Sequence, residues 1–488
     1  MFRRVKSDEE LFIRYGADIA NAVQSCYRDE GSDPASTSAH RFKWASLLRQ
    51  MQRLGRFSSG NSVDILETGD VALPAMIEAI DAACDRVWLE TYILDSSCST
   101  QPLISALKRA AERGVDVVAL IDYCGSMDFV QQEELESSGV KVVVFNPPFF
   151  ASGVGVTVGP INFRDHRKIL VADEIGFCGS MNIHKDTLKT IQNQPFFYDV
   201  HLKLTGPCVW DLADVFCGSL AESEGPVQRS FKRPDTRIKL SDSIVSRFFT
   251  RNSPPQETTS NGVYVQVFES NVRKENRSIQ RSLAALIRNA DSNLIIASSY
   301  FTPPGFLKRE IDKALARSIP TSLLVSGESD LWPIPGDLLG QTHAIRRFAL
   351  NPACDVRMYS QQHMHAKFLC VDSVYSAFGS FNFDRWSARR NLEVVVGIMD
   401  KDISKQLERI HSKIAQRSYK TTEHDWWFKS WISRGVCATA YWCVKLTGKN
   451  LVDGLDSYQR EWRIRKAAVV DAIHKHSAEN VAINALFS

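Results

Sequence analysis

The sequence lacks the features of several large classes of protein. No apolar run approaches the roughly 18 residues that a membrane-spanning helix needs, and the first residues carry charges where a secretory signal would be apolar. The 11 cysteines form no CxxC pair, which argues against a zinc ribbon or a disulfide framework. A formal net charge of +3 is too balanced for a protein that coats nucleic acid. These absences predict an intracellular protein with reduced thiols and no membrane span.

The charge and the tryptophans that are present are unevenly distributed. The 488 residues suffice for about three domains of ~150 residues. From Lys401 to Ser488 there are 15 Lys and Arg against 9 Asp and Glu, so this region carries +6 and the first 400 residues carry −3. Five of the 10 tryptophans also lie there: Trp426, Trp427, Trp431, Trp442 and Trp462. The chain therefore has a nearly neutral body and a basic, tryptophan-rich C-terminal region.

The body contains an internal repeat. HRKILVAD begins at His166 and is followed by GSMN at Gly179, and HAKFLCVD begins at His365 and is followed by GSFN at Gly379. Upstream of each copy, helical patterns alternate with apolar strand patterns. This alternation predicts two copies of one α/β domain, each with a mixed sheet flanked by helices.

The repeat sets the expected domain boundaries. We predict an N-terminal extension at 1–58, a first α/β domain at 59–215, a linker at 216–260, a second α/β domain at 261–400 and a helical C-terminal region at 401–488. The linker is assigned from its Pro, Ser, Thr and Arg content.

Each copy places a histidine and a lysine together. Residues i and i+2 of a strand project from one face, so His166 lies beside Lys168 and His365 lies beside Lys367. Two such halves facing each other would offer two imidazoles and two ammonium groups. One HxK motif alone is a weak signal, but its recurrence in equivalent places of a repeat is a strong one.

The other repeated polar residues divide into two groups. Asp173 and Asp372 lie seven residues after the histidines, an odd offset that faces the opposite side of a strand. We predict that they hold the strand and the turn without touching substrate. The GSxN loops would return polar groups toward the histidines and supply phosphate-binding residues, namely Ser180, Asn182, Ser380 and Asn382.

Paired histidines and cations suit the chemistry of a phosphodiester. Such a reaction needs a nucleophile, a general acid for the leaving oxygen and cations on the non-bridging oxygens. No metal or other cofactor is required. Each histidine needs a carboxylate that fixes its tautomer, and the candidates are Asp199 and Glu393, which open strands just after the two GSxN loops. His363 and His365 form an HxH, but two ligands alone make a poor metal site, so we predict that His363 binds no metal.

The doubled HxKx4D with GSxN resembles the phospholipase D superfamily, and within it most closely the bacterial-type cardiolipin synthases. The resemblance covers roughly residues 60–400 and includes LETYIL, YDVHLKLTGPCV and GSFNFDRWSARRNLEV. It implies two tandem domains related by a pseudo-twofold axis, with one active site at their interface, so that a monomer suffices. The catalytic set that it implies is the six motif residues His166, Lys168, Asp173, His365, Lys367 and Asp372.

The resemblance also implies an activity. His166 would attack phosphorus and form a phosphatidyl-histidine, and His365 would protonate the leaving group. The expected enzyme is a phosphatidyltransferase that makes cardiolipin from phosphatidylglycerol and a second phospholipid. The same residues would serve a phospholipase D that releases phosphatidic acid, or a nuclease of the superfamily, although the nearly neutral body argues against nucleic acid.

Two features bear on this assignment. The residue before the first histidine is Asp165 where the family usually has Asn, which places an extra negative charge beside a phosphate site. The basic, aromatic C-terminal region has the composition of a bilayer interface, and we predict peripheral membrane contact through 421–466 at a bacterial cytoplasmic or a mitochondrial membrane. The alternative, that its aromatic residues pack on the catalytic domains, stays open. Tyr92 and Tyr300 end equivalent strand patterns, where they could approach a phosphate, but we expect them to pack in the core.

Overall fold

Two mixed β-sheets with equivalent strand orders form the centre of the molecule. The structure, a computed structural model, describes residues 7–27, 34–146, 163–188, 196–223, 262–329, 336–422 and 424–447. The first sheet has the order β1-β8-β7-β6-β2-β3-β4, with β2, β3 and β4 parallel to one another and the other pairs antiparallel. Its strands, with the short β5, are β1 (Arg56–Glu67), β2 (Arg86–Thr91), β3 (Asp116–Asp122), β4 (Lys141–Phe145), β5 (Arg164–Asp165), β6 (Ile169–Ala172), β7 (Ile175–Gly179) and β8 (Val200–Thr205).

The second half repeats this plan. The remaining strands are β9 (Val263–Asn271), β10 (Asn276–Arg277), β11 (Leu294–Ser298), β12 (Thr321–Ser326), β13 (Cys354–Tyr359), β14 (Phe368–Val371), β15 (Tyr375–Gly379), β16 (Asn391–Met399) and β17 (Tyr419–Lys420). The order is β9-β16-β15-β14-β11-β12-β13-β17, with β11, β12 and β13 parallel. The predicted duplication of a mixed α/β domain is confirmed.

Helices cover the sheets and extend both ends of the chain. They span Asp8–Tyr15, Ala17–Cys26, Pro34–Met51, Gly69–Ala82, Gln101–Glu112, Gln132–Ser137, Cys208–Ser223, Ser278–Arg288, Gly305–Ala316, Gly336–Ala349, Arg385–Arg389, Lys401–Gln416, Trp426–Lys429 and Trp431–Thr447. The helix Ser278–Arg288 shows the sequence logic, since Ile279, Leu283, Leu286 and Ile287 recur at helical spacing and are buried. Among the described residues, no helix combines the length and the apolar character needed to cross a bilayer.

The two sheets are joined through their edges. The first part of β1 pairs with β9 of the second half, and its second part, Ser62 to Glu67, pairs with β8. β5 of the first half pairs in parallel with the start of β16. Apolar side chains of both sheets share one buried cluster with the helices Cys208–Ser223 and Lys401–Gln416. The two halves therefore meet in a continuous core.

The N-terminal extension packs on the second half of the body. Trp44 is fully buried and stacks on Tyr375 with ring centroids 5.8 Å apart. Lys43 forms an ion pair with Asp291. The sequence pattern does not reveal this partner, because the helix Pro34–Met51 carries no distinctive repeat of its own.

One predicted domain boundary falls inside a helix, and another falls at the start of a helix. The helix Cys208–Ser223 runs through the boundary set at 215, and residues 224–261, which contain most of the predicted linker, lie outside the described residues. The helix Lys401–Gln416 begins where the second domain was expected to end, and Asp400 caps it by accepting from the amide of Ile403 at 2.8 Å. This helix packs against both sheets through Ile403, Leu407 and Ile414.

The described C-terminal region is helical apart from the short strand β17, and it both packs and exposes apolar groups. The helix Trp431–Thr447 lies against the helix Gly336–Ala349, with Tyr441 4.8 Å from the ring of His343. The same helix exposes Trp431, Ile432 and Trp442. The part of the predicted membrane contact beyond 447 lies outside the described residues.

Candidate active site

The two motif histidines lie just before β6 and β14, and each is held by the opposite half. The amide of His166 donates to the carbonyl of Leu392 at 3.0 Å, and the amide of His365 donates to the carbonyl of Tyr198 at 2.8 Å. Because each histidine backbone bonds to the other domain, the site exists only where the two domains meet.

The imidazoles are oriented crosswise by carboxylates. Nδ1 of His166 lies 3.1 Å from Oε2 of Glu393, and Nδ1 of His365 lies 2.9 Å from Oδ2 of Asp199. All four groups are buried. The carboxylate that follows each GSxN loop thus orients the histidine of the other repeat, and this arrangement leaves Nε2 of each ring for chemistry.

The serines of the GSxN loops hold these carboxylates. The hydroxyl of Ser180 donates to Asp199, and that of Ser380 donates to Glu393. The preceding glycine is required by close packing, because a Cβ on Gly379 would lie 2.2 Å from the carbonyl oxygen of Val394. The predicted phosphate-binding serines are therefore engaged with the orienting carboxylates.

The motif lysines share the site with the histidines. Nζ of Lys168 donates to the carbonyl of His166 at 2.7 Å and lies 5.3 Å from the ring centroid of Tyr92. Nζ of Lys367 donates to the carbonyl of His365 at 2.6 Å. The charge of Lys367 lowers the pKa of both His166 and Lys168, so the cations of the two repeats act on one another.

The motif asparagines present unsatisfied polar atoms. The side-chain oxygens of Asn182 and Asn382 are buried and have no hydrogen-bond partner among the described residues. Buried amide oxygens are normally paired, so two equivalent exceptions at one site indicate a place for a ligand or for water.

The motif aspartates are not brought to the site. Asp173 accepts from the amides of Cys84, Asp85 and Arg86, and Asp372 accepts from those of the equivalent loop, Asp291 to Asn293. Both lie at turns with positive φ, 48° and 54°. They were included in the catalytic set implied by the resemblance, but their position is that of turn-holding residues, as the odd offset predicts.

Burial keeps both imidazoles neutral in the free enzyme. Burial first, and then the charge of Lys168, lower the pKa of His166 to about 4. Burial likewise lowers the pKa of His365 to about 3, against the opposing effect of Asp199. A neutral imidazole with a free lone pair is the nucleophilic form.

The neighbouring charges are arranged to receive an anion. Burial lowers the pKa of Lys168 to about 7. Burial raises the pKa of Glu393 and of Asp199, but the histidines and serines that bind them outweigh it, so both pKa values lie below their usual range. The carboxylates stay ionised while the histidines and Lys168 can each still accept a proton.

The extra acid before the first histidine is neutralised by its surroundings. Asp165 and Glu90 are both buried, and burial raises the pKa of both carboxyls. Raised pKa values of two interacting carboxyls favour a proton on one of them. Arg167, 1% exposed, supplies the opposing charge, and its Nη2 also bonds Glu269 at 3.0 Å. The negative charge shared by Asp165 and Glu90 is thus compensated by Arg167.

Two aromatic rings lie against the motif histidines. Tyr92, expected to pack in the core, lies edge-on to His166 with ring centroids 5.0 Å apart. Phe197 lies 5.7 Å from the ring of His365. A signal was present, since Tyr92 directly follows the strand β2, which pairs with the motif strand β6, and Phe197 precedes Asp199 by two residues.

His363 is buried in its own hydrogen-bond network. Its Nδ1 lies 2.9 Å from the carbonyl of Glu328, and its Nε2 lies 2.9 Å from the hydroxyl of Ser299. Both ring nitrogens are therefore engaged. In the part of the chain that the structure describes, no group of three or more His, Cys, Asp or Glu side chains could hold a metal ion.

The fold and the site together define a duplicated α/β enzyme whose single composite site joins paired histidines, lysines and asparagines at the domain interface. The family model described as the cardiolipin synthase, PLD-like domain matches residues 76–196 and 283–415, more than half of the chain. The chain belongs to this family and is a cardiolipin synthase-like phosphatidyltransferase. Both matched segments contain a motif histidine.

Individual relatives agree with this assignment. Cardiolipin synthase B of Salmonella typhi is 28% identical over 352 residues, covering 71% of this chain and 79% of its own. Cardiolipin synthase 1 of Bacillus anthracis is 26% identical over 363 residues, covering 72% of this chain and 67% of its own. The crystal structure of phosphatidylserine synthase from Haemophilus influenzae has the same fold, with a TM-score of 0.62 and 15% identity, covering 84% of this chain and 99% of its own.

Proposed function

We propose that this chain moves a phosphatidyl group from one alcohol to another through a covalent phosphatidyl-histidine, and that its product is cardiolipin. The observation that carries the proposal is the pair of buried imidazoles, each bonded at Nδ1 to a carboxylate of the other domain. This pairing keeps one nitrogen of each ring, Nε2, available to phosphorus or to a leaving oxygen.

The first step forms the intermediate. Nε2 of His166 attacks phosphorus, and the bond between phosphorus and the headgroup oxygen breaks. Protonated His365 gives its Nε2 proton to that oxygen, and the headgroup leaves as a neutral alcohol. The roles of the two histidines follow the family resemblance, since their environments are nearly equivalent.

The bound phosphodiester itself prepares the acid. In the free enzyme the pKa of His365 is held at about 3 by burial. An anionic phosphate placed between the two rings favours the protonated form and raises this pKa. Substrate binding therefore loads the proton that His365 delivers.

The second step restores the enzyme. The hydroxyl of the acceptor lipid gives its proton to His365 and attacks phosphorus from the side that the first alcohol left. The bond between phosphorus and Nε2 of His166 breaks, and the electron pair returns to the ring. One phosphodiester has been exchanged for another, with no net redox change and no cofactor.

The non-bridging oxygens would lie among the lysines and asparagines. Lys168 and Lys367 supply positive charge. The side-chain oxygens of Asn182 and Asn382 are unpaired within the described part of the chain. Rotation of each amide by a half-turn would place its NH2 group where the oxygen lies, and the NH2 group could then donate to a phosphate oxygen. All of these groups come from one chain, so one copy has a complete set.

Burial favours transfer over hydrolysis. His166 is 8% exposed and His365 is 4% exposed. Restricted access of water to the intermediate gives a lipid alcohol time to resolve it. We propose phosphatidylglycerol as the donor and a second phospholipid as the acceptor, on the strength of the named relatives.

Lipid substrates require contact with a bilayer. We propose that the helix Trp431–Thr447 lies at the membrane surface, because Trp431, Ile432 and Trp442 are exposed beside basic residues.

The test is to incubate purified protein with phosphatidylglycerol vesicles and to identify the products by mass spectrometry. Cardiolipin and glycerol are expected in equal amounts. Phosphatidic acid as the only lipid product, released together with glycerol, would show hydrolysis in place of transfer. The H166A variant is expected to form neither product and to unfold at the same temperature as the parent. Substantial residual turnover in H166A would mean that His166 is not the nucleophile.

A further inference from the structure

A basic cleft lies between the helix Gly336–Ala349 and the helix Trp431–Thr447. Two adjoining cavities, of about 380 and about 350 Å³, share His343 and Arg346 in their walls. Arg434, Phe428 and Trp431 complete one of them. The cleft is distinct from the histidine site, since none of the motif residues lines it.

The charge of the cleft is of one sign. Arg346, Arg434, Lys308 and Arg347 line it, and none of the described residues that line it is acidic. Arg347 has an acid partner, Asp312, at 2.8 Å. Nε of Arg346 is buried without a hydrogen-bond partner among the described residues. Several cations on one small concave surface repel one another, and an anion placed between them relieves this repulsion.

The titration of His343 reflects the same crowding. Burial first, and then the charges of Arg346 and Lys308, lower the pKa of His343. The three side chains are therefore close enough to interact electrostatically within the cleft.

The rim of the cleft is aromatic and exposed. Trp431 is 76% exposed, Ile432 is 57% exposed and Trp442 is 50% exposed. Tryptophan beside arginine is the composition of protein surfaces that lie at the headgroup level of a bilayer. An anion with an apolar group attached could therefore contact the arginines of the cleft through its charge and the exposed tryptophans through its apolar part.

The cleft opens beside the active-site loops. Gln341, on the helix that forms its wall, accepts from the amide of Phe301, next to Tyr300. Tyr441 is close enough to Arg385 to affect its pKa, and Arg385 follows Asn382 by three residues. The helices that form the cleft therefore contact segments close in sequence to the GSFN loop.

We propose that this cleft binds the headgroup of an anionic phospholipid that remains in the bilayer and is not the reacting lipid, and that this contact docks the protein on the membrane. The phosphate would lie between Arg346 and Arg434, while Trp431, Ile432 and Trp442 enter the interface. The proposal goes beyond the transfer reaction, because it requires no chemistry at His166 or His365.

The test compares charge reversals of equal size. The full-length R346E/R434E double variant would be titrated with vesicles of phosphatidylcholine that contain phosphatidylglycerol. The control is R53E/R281E, which reverses two exposed arginines that do not line the cleft. The cleft variant is expected to bind at least about tenfold more weakly than the parent, since each basic residue near an anionic surface contributes measurably to binding. The control is expected to lose much less.

Several results would overturn the proposal. It fails if the cleft variant binds as the parent does, or if the control loses as much, because binding would then follow net charge alone. It also fails if inorganic phosphate raises the unfolding temperature of the parent but not of the cleft variant while both bind vesicles equally, because the cleft would then be a site for free phosphate and not for a lipid headgroup. Since Arg434 is exposed, the single R434E variant provides a partial effect in a chain whose folding is undisturbed.

Two further readouts separate this proposal from the proposed reaction. Quenching of tryptophan fluorescence by lipids brominated near the headgroup should fall in W431F/W442F, and undiminished quenching would contradict insertion of these side chains. Turnover of a monomeric short-chain phosphatidylglycerol should be equal in the cleft variant and the parent. Absence of any phosphatidyl transfer, with vesicle binding as expected, would refute the reaction and leave the docking cleft standing.

Discussion

His166 and His365 occupy nearly equivalent environments, yet the proposed reaction gives them different tasks. Each ring is bonded at Nδ1 to a carboxylate of the other half, and each carboxylate is held by a loop serine. A nucleophile is needed whatever the leaving group is, but a general acid is needed only when the leaving oxygen is strongly basic. The dependence of the rate on the leaving group can therefore distinguish the nucleophile from the general acid, which the geometry of the two histidines does not.

We therefore expect leaving-group dependence in the two histidine variants. H365A should recover much of its lost rate on a 4-nitrophenyl phosphodiester, because 4-nitrophenolate leaves without a proton. H166A should stay inactive on the same substrate. Release of 4-nitrophenol in single-turnover absorbance measurements provides the comparison. Recovery in H166A and none in H365A would exchange the two roles.

Lys168 predicts a proton uptake that accompanies binding. Burial lowers the pKa of this lysine to about 7, and a bound phosphate, being an anion, raises it again. Binding of a phosphate analogue such as tungstate near pH 7 should therefore take up protons. Calorimetry in buffers of different ionisation enthalpy measures the number.

The matched control is K168R, whose guanidinium stays charged throughout this range. It should bind the analogue with clearly lower uptake. Equal uptake in the parent and K168R would assign the proton to the histidines alone, whose pKa values the phosphate also raises.

At the scale of single elements, the motif strands are held by the aspartates that end them. Asp372 accepts from three successive amides, those of Asp291, Ser292 and Asn293, at 2.7 to 3.3 Å. It also adopts a left-handed conformation, φ 54°, that aspartate and asparagine tolerate better than alanine. One side chain thus joins the turn after β14 to the loop before β11.

The D372A variant should be destabilised without a direct effect on chemistry. Loss of the carboxylate removes hydrogen bonds to a charged group, typically worth about 1.5–3 kcal/mol, and leaves the amides to find water. Thermal unfolding measures the loss. D372N keeps a hydrogen-bond acceptor and tolerates the left-handed backbone, so its unfolding temperature should lie between those of the parent and D372A. A purely structural role would be contradicted if D372A had a lower rate per folded molecule at low temperature.

At the scale of the whole molecule, Arg167 connects the two halves. It is buried, and it bonds Ser219 of the first half as well as Glu269 and the carbonyl of Glu393 of the second. Its charge also compensates Glu90 and Asp165. Removal of one partner of a buried ion pair leaves uncompensated charge, which typically costs about 3–5 kcal/mol.

R167M is therefore expected to lower the unfolding temperature strongly and to reduce activity, because both histidines depend on contacts across the same interface. The control is R109A, whose exposed ion pair with Asp81 should contribute less than about 1 kcal/mol. Differential scanning calorimetry measures both variants. If R167M and R109A lowered the unfolding temperature by equally small amounts, the apolar core of the interface, and not Arg167, would hold the two halves together.

The site residues and the duplication were readable in the sequence because they are local and repeated. The spacing of HxK places the histidine and lysine together, the odd offset of the aspartates separates them from the site, and alternating apolar patterns predict the mixed α/β halves. The carboxylates Asp199 and Glu393 were found as candidates from their position after the loops.

Only the tertiary structure decided which groups act on one another across the chain. The crosswise pairing of His166 with Glu393 and of His365 with Asp199 joins residues 227 and 166 positions apart. The contact of Arg167 with Glu269, and the packing of Trp44 on Tyr375, depend in the same way on which distant segments meet. Periodicity along a chain reports which face of an element is buried, but the partner of that face is chosen by packing between distant segments, which leaves no periodic signal.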